Sequence, residues 1–304
     1  MMKKNLLVAI AIIILVTPVA AASTMMSAPM KSATIQQMNV PLENFTHTVM
    51  VEYGTTTTCP YCVIASGQLY SIYNSGDLDF YYVSLVGDQG NANVWGRLQE
   101  LGISSIPDVY FDGGYRRLLG AQSTEQPYRN AISTCGERDV PDIDIDVDVE
   151  WKGAGTLKIL VTVTNNEAED YDGHLRVYVV EKTSRWDDNG GNPYHFAVLD
   201  IPIDSNLTVV ESQQGYTLDA RANTYTFKKT WFGALHGFGD ITQDNIMVIA
   251  SVFDPDSEDA VQAAAAEPTL ADGTTTTFQT NMHQFITALK MVFQQVLSKI
   301  QLSH

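Results

Sequence analysis

From Asp142 to Val149 acidic and aliphatic residues alternate without a break, in the order DIDIDVDV. A side-chain period of two places every carboxylate on one face and every aliphatic on the other, so this stretch predicts a strand with one wet face. The same pattern cannot sit on a helix without scattering its apolar residues around the axis. Upstream of it, apolar runs alternate with helical spacings. Downstream, short β-branched runs follow one another, separated by Asn, Gly, Asp and Pro. The chain therefore divides near residue 138 into an α/β part and an all-β part.

In the first part "HTVMVEY" (His47 to Tyr53) predicts a strand. "VIASGQLYSIYNSG" carries Ile64, Leu69, Ile72 and Tyr73 at helical spacing and stops at Gly76. "LDFYYVSLVG" is continuous enough for a strand buried on both faces. "NANVWGRLQELG" opens on an Asn cap and closes on Gly102. "SSIPDVYFDGGYRRLLG" predicts two strands about a Gly-Gly turn, and "STEQPYRNAISTCG" a helix capped by Ser123 and stopped by Gly136. The order β-α-β-α-β-β-α implies a sheet covered by helices. In the second part "TLKILVTVTNN", "GHLRVYVVEKT", "HFAVLDIPI", "LTVVESQQGYTL", "NTYTFKKTWF" and "NIMVIASVFD" predict an antiparallel sandwich. It is immunoglobulin-like in architecture only, because the Cys-Trp-Cys signature is missing.

The ends of the sequence carry other signals. Lys3 and Lys4, the apolar run Leu6 to Val16 and the small residues Val19 to Ala22 form the layout of a signal peptide over 1–22. A polar leader follows over 23–45. This places the protein outside the cytoplasm, secreted or at the cell surface, and membrane-anchored if the first segment is retained. "AAAAEPTLADGTTTT" predicts a linker, 263–279. Over 280–302 an apolar stripe including Phe285, Leu289, Val292 and Val296 predicts an amphipathic helix. That helix suits docking on its own chain or on a partner, or contact with a membrane surface. A net charge of −17 excludes nucleic acid as a partner, since phosphate binding needs clustered Lys and Arg.

The sequence holds 3 cysteines. Two of them stand in "TTTTCPYCVIAS", between a strand and a helix. A zinc site needs four ligands, and neither a second CxxC nor a His pair is present. A staple closing so short a loop removes little unfolded-chain entropy. Redox chemistry remains: Cys59 stands where a helix begins, unpaired N–H groups and the helix dipole favour a thiolate, and Cys62 lies one turn on to resolve a mixed disulfide. Pro60 belongs in the first turn, where its missing N–H costs nothing. Cys135 reads as a buried, inert thiol. "WDDNGGN" and "DPDSEDA" gather carboxylates but match no calcium loop and read as solvated turns.

Strand, CPYC and helix within a β-α-β pattern resemble the thioredoxin superfamily over 46–137. The resemblance implies a Cys59–Cys62 disulfide that needs no cofactor. It implies that "SIPDVYFDGG" is the family's cis-proline loop, with Pro107 facing the disulfide and Ile106 offering backbone hydrogen bonds to substrate. Pro60 and Tyr61 would border the bound chain. Glu52 would take the place of the buried acid that relays a proton to the resolving cysteine, at the cost of one extra loop residue. The position before the first cysteine, commonly Trp, is Thr58. Partners would be exported proteins carrying thiols or disulfides. The sequence alone leaves two functions open, an extracytoplasmic thiol–disulfide oxidoreductase and a cell-surface binding or adhesion protein on a redox-idle scaffold. The fold expected is thus a thioredoxin-like α/β domain, a β-sandwich over 138–262 and a C-terminal amphipathic helix.

Overall fold

A computed structural model describes residues 45–209 and 223–270. The signal peptide, all but the last residue of the leader, positions 271–279 of the linker and the C-terminal helix lie outside the described residues.

The first half follows the expected order. Strand β1 (Val49–Thr55) leads to helix α1 (Cys62–Ser75), β2 (Phe80–Val86), α2 (Ala92–Glu100), β3 (Asp108–Phe111), β4 (Arg116–Leu119) and α3 (Gln126–Gly136). Local chemistry sets the ends of these helices. Gly76 closes α1 at φ 65°, in the left-handed region open to glycine. The Asn91 side chain caps α2 by accepting from the N–H groups of Asn93 and Val94. The α3 cap differs from expectation: Glu125, not Ser123, occupies it, without a side-chain bond. Pro127 in the first turn fixes the entry instead.

The second half contains β5 (Ile143–Gly153), β6 (Thr156–Asn165), β7 (Tyr171–Asp187), β8 (Pro193–Val209), β9 (Thr224–Phe232), β10 (Ile246–Phe253), β11 (Ala260–Ala266) and β12 (Thr269–Leu270). The alternating acidic stretch is β5, with Ile143 and Val149 in a core and Asp144, Asp146 and Asp148 in solvent or at its margin. Two departures concern strand ends. "HFAVLDIPI" and the start of "LTVV" form one 17-residue strand, β8. Ala263 to Ala266, expected as linker, complete β11, which pairs antiparallel with β10.

The main correction concerns the boundary at residue 138. Among the described residues one sheet has the order β11-β10-β7-β8-β2-β1-β3-β4, so strands of both halves share it. The seam is the parallel pairing of Ser84 on β2 with Ala197 on β8, reinforced by the Ser84 hydroxyl donating to His195 O at 2.8 Å. A four-stranded sheet, β12-β5-β6-β9, packs on one face of the β11-β10-β7-β8 part of the larger sheet.

Strand β10 shows how this works. Ile246, Val248, Ala250 and Val252 enter the core against the smaller sheet, whereas Met247, Ile249 and Phe253 enter the core of the first half. Every residue of β10 is buried because both of its faces are covered. The molecule is thus a mixed α/β fold of two sheets with three α-helices, all on the first half, among the described residues.

Candidate functional site at the CPYC turn

Strand β1 delivers the chain to a four-threonine loop, and each threonine is held. The Thr55 hydroxyl lies 2.9 Å from the Tyr194 hydroxyl, which itself donates to Thr56 O at 2.8 Å. Thr57 N–H and its hydroxyl donate to the Asp88 carboxylate. Thr58 O accepts from Asn189 Nδ2 at 3.2 Å. The loop closes with Cys59 N–H donating to Thr56 O at 3.2 Å.

Cys59 and Cys62 form a disulfide with their Cα atoms 5.4 Å apart. The helix begins at Cys62 rather than at Cys59, so Pro60 and Tyr61 form the turn between the sulfurs. The backbone N–H of Cys62 points at Cys59 Sγ, 3.2 Å away. That donor, the dipole of a 14-residue helix and the absence of any acid in its first turn favour negative charge on Cys59 once the bond is opened.

The two sulfurs differ in access. The Cys59 residue keeps 7% of its surface exposed and Cys62 none, while Pro60 and Tyr61 face solvent. Tyr53 reaches from β1 to the other end of the pair, its hydroxyl donating to Cys62 O at 2.8 Å.

Ile106 and Pro107 lie at the mouth of the same region. Gly54 pairs with Asp108, which sets Pro107 beside the end of β1, and the Ile106–Pro107 peptide is cis. Ile106 joins Thr55, Thr56, Trp95, Leu98 and Ile103 in lining a groove of about 310 Å³. The structure therefore brings the cysteine loop and the Ile106–Pro107 loop to one end of the sheet.

Glu52 is buried, as the resemblance implies, but it is not at the cysteines. Neighbours on a strand face opposite ways. Tyr53 turns toward α1 and Cys62, so Glu52 turns toward α2. There its carboxylate accepts from Arg97 Nε and Nη2, both at 2.7 Å, and from the Tyr178 hydroxyl at 2.7 Å. Burial alone would raise its pKa; the Arg97 guanidinium, with Arg176 and the Tyr178 hydroxyl, outweighs that and holds it below the ordinary carboxylate value. A carboxylate so committed is a structural ion pair, and the proton-relay role assigned to it is withdrawn.

Cys135 is sealed in the core, and burial pushes its thiol well above the usual range. The "WDDNGGN" turn is no free surface loop. Asp188 is buried, its Oδ1 accepts from the N–H groups of Gly190 and Asn192, and the turn lies over the cysteine loop through Asn189. Tyr53, Asp88, Asn189 and Tyr194 were not singled out from the sequence. Only Tyr53 carried a usable signal there, its place on the strand that delivers the loop.

No family model matches the sequence, and no curated protein matches it. Among solved structures, the chain is similar to HBP35 of Porphyromonas gingivalis, with TM-score 0.53 and 18% identity over 74% of this chain and 78% of that one. Protein AGR_C_4864 from Agrobacterium tumefaciens gives TM-score 0.42 at 14% identity, over 73% and 95% of the two chains. A domain of the outer membrane lipoprotein Omp28 from Porphyromonas gingivalis gives TM-score 0.22 at 14% identity, over 44% and 94%. The likeness to HBP35 is one of overall fold, a mixed α/β chain that here carries a close cysteine pair.

Proposed function

We propose that the protein is an extracytoplasmic thiol–disulfide oxidoreductase whose first half is a thioredoxin-like unit and whose working centre is Cys59–Cys62. The observation that carries this reading is the asymmetry of the pair. Cys59 keeps a small exposed surface, 7%, and has a helix-start N–H directed at its sulfur, while Cys62 is fully buried.

Starting from the dithiol, the Cys59 thiolate attacks one sulfur of a partner's disulfide, and the partner's other sulfur leaves as a thiolate and takes a proton. Cys62, deprotonated, then attacks Cys59 Sγ. The partner departs as a dithiol, and the Cys59–Cys62 bond re-forms. Two electrons and two protons pass to the partner. The reverse sequence oxidises a partner dithiol, and the relative stability of thiolate and disulfide sets the direction.

The groove beside Ile106 would receive the partner chain, with Trp95 supplying the aromatic surface that Thr58 does not. Partners are exported proteins carrying thiols or disulfides. Export rests on the Lys3-Lys4 and apolar-run pattern; among the described residues no helix is long and apolar enough to cross a membrane.

The Cys62→Ser variant tests the assignment, because it removes the resolving sulfur and leaves Cys59 able to attack. Reduced variant mixed with insulin should accumulate a mixed disulfide through Cys59, and the intact protein should accelerate insulin reduction by dithiothreitol. No adduct and no acceleration would leave the fold as a redox-idle binding scaffold.

A further inference from the structure

The loop before Cys59 is fastened from both sides, and one of them belongs to the second half of the chain. Asp88, in the first half, holds Thr57. The β7–β8 turn and the first residues of β8 hold the rest. Tyr194 is fully buried, and its hydroxyl donates to Thr56 O at 2.8 Å while lying 2.9 Å from the Thr55 hydroxyl.

That same Thr56 carbonyl accepts the backbone N–H of Cys59, so one carbonyl oxygen joins Tyr194 to the nucleophile's own peptide. Asn189 adds a tie to Thr58 O, the residue before Cys59. The Tyr194 ring lies 6.5 Å from Tyr53, whose hydroxyl holds Cys62 O. The two cysteines are thus each tied through a backbone carbonyl to one of two neighbouring tyrosines. Burial pushes the Tyr194 phenol up to about 12, so it remains a donor throughout the pH range in which thiols exchange.

We propose that Tyr194 is a positioning residue for the redox reaction, holding the Thr55–Cys59 loop so that Cys59 Sγ is presented to Cys62 and to the incoming sulfur. The proposal rests on the redox reading of the pair. On it, the second half is part of the catalytic apparatus, although it contributes no reacting atom.

The physical consequence lies in the balance between disulfide and dithiol. When the disulfide is closed, the bond itself restrains the loop. When it is open, Tyr194, Asn189 and Asp88 carry more of that restraint. Loosening the clamp therefore frees the dithiol more than the disulfide, and the dithiol gains the larger share of conformational entropy.

The experiment equilibrates full-length protein with glutathione, two glutathione molecules reducing Cys59–Cys62 and leaving as one glutathione disulfide. The constant is read for wild type, Tyr194→Phe and Asn189→Ala, with thermal melting of each. Tyr194→Phe loses this hydrogen bond in both states, and the excess effect on the dithiol favours it by up to about fivefold, equivalent to about 20 mV, the worth of one net hydrogen bond. Asn189→Ala should move the constant the same way, by about twofold for a weaker, exposed tie.

A wild-type constant in Tyr194→Phe, with only its melting temperature lowered, would make Tyr194 structural and overturn the proposal. If Tyr194→Phe does not fold, Asn189→Ala decides, and an unchanged constant there overturns it equally. A wild-type disulfide that glutathione cannot open would instead overturn the redox reading on which the proposal stands.

Discussion

Replacing Arg97 by methionine should reverse the sign of the Glu52 contribution to the pH dependence of stability, and the Glu52 site shows why. The Glu52 carboxylate is wholly buried and accepts two N–H groups of Arg97 and the hydroxyl of Tyr178. Its folded pKa lies below 4.5, since Arg97, together with Arg176 and Tyr178, outweighs desolvation. In the wild type its ionisation contributes stability that is present above the unfolded pKa and lost as pH falls through the folded value. In Arg97→Met, burial, already the largest single influence on Glu52, is opposed only by the weaker effects of Arg176 and Tyr178. The folded pKa then rises above the unfolded one, and stability is lost as pH rises through it. Removing one partner of a buried pair costs about 3–5 kcal/mol at neutral pH. The deficit against wild type should shrink on acidification, by up to about 1.4 kcal/mol for each pH unit below the raised pKa. Urea unfolding of both proteins at pH 7.5 and pH 5, disulfide intact, measures it. The double variant Glu52→Gln/Arg97→Met should recover part of the loss and lose the added pH dependence. A deficit below about 1 kcal/mol, or one equal at both pH values, would place Glu52 in a solvent-screened pair and refute the reasoning.

Gly113 should tolerate no side chain. It sits at φ 70°, and a Cβ there would stand 2.1 Å from Glu258 O, so Gly113→Ala should cost roughly 2 kcal/mol or more by urea unfolding. Cys135 should resist iodoacetamide in the native protein at pH 8 and react once urea unfolds it, because its thiol is buried with its pKa raised; mass spectrometry of the modified chain reads the difference. Trp95, half exposed on the groove wall, should matter for protein substrates only. Trp95→Ala should raise KM for insulin about tenfold, as losing about 1–2 kcal/mol of apolar contact implies, and leave exchange with glutathione unchanged.

Local chemistry was legible in this sequence wherever one segment decides its own shape. The Asn91 cap, the Gly76 stop and the wet face of β5 all follow from residues within a few positions of one another. The shared sheet was legible in part. "NIMVIASVF" lacks the polar alternation of a sandwich strand with one solvated face, the same continuity that marked β2 as buried on both sides. Which strand would lie beside β2 was not written locally, because a single parallel pairing of Ser84 with Ala197 makes that junction across more than a hundred residues. Alanines 263–266 looked like linker for a similar reason. Alanine has little strand preference of its own, and β11 exists because β10 offers it an edge.

Glu52 shows how little separates a correct motif from a wrong residue. The cysteines, the strand and the need for a buried group beneath the helix were all readable, but the side chain that attends Cys62 depends on how many loop residues separate it from the strand. A slip of one residue moves every side chain to the other face. The four-threonine loop absorbs no such extra residue, so Tyr53 meets Cys62 while Glu52 meets Arg97 and Tyr178. The acid thereby ties β1 to α2 and β7 instead of moving a proton at the disulfide. Tyr194 approaches the same loop from β8, on the far side of the expected domain boundary. Chemistry that the motif places within four residues is therefore held by groups from both halves of the chain, and cutting the chain near residue 138 would remove one side of that hold while exposing the β2 edge that β8 covers.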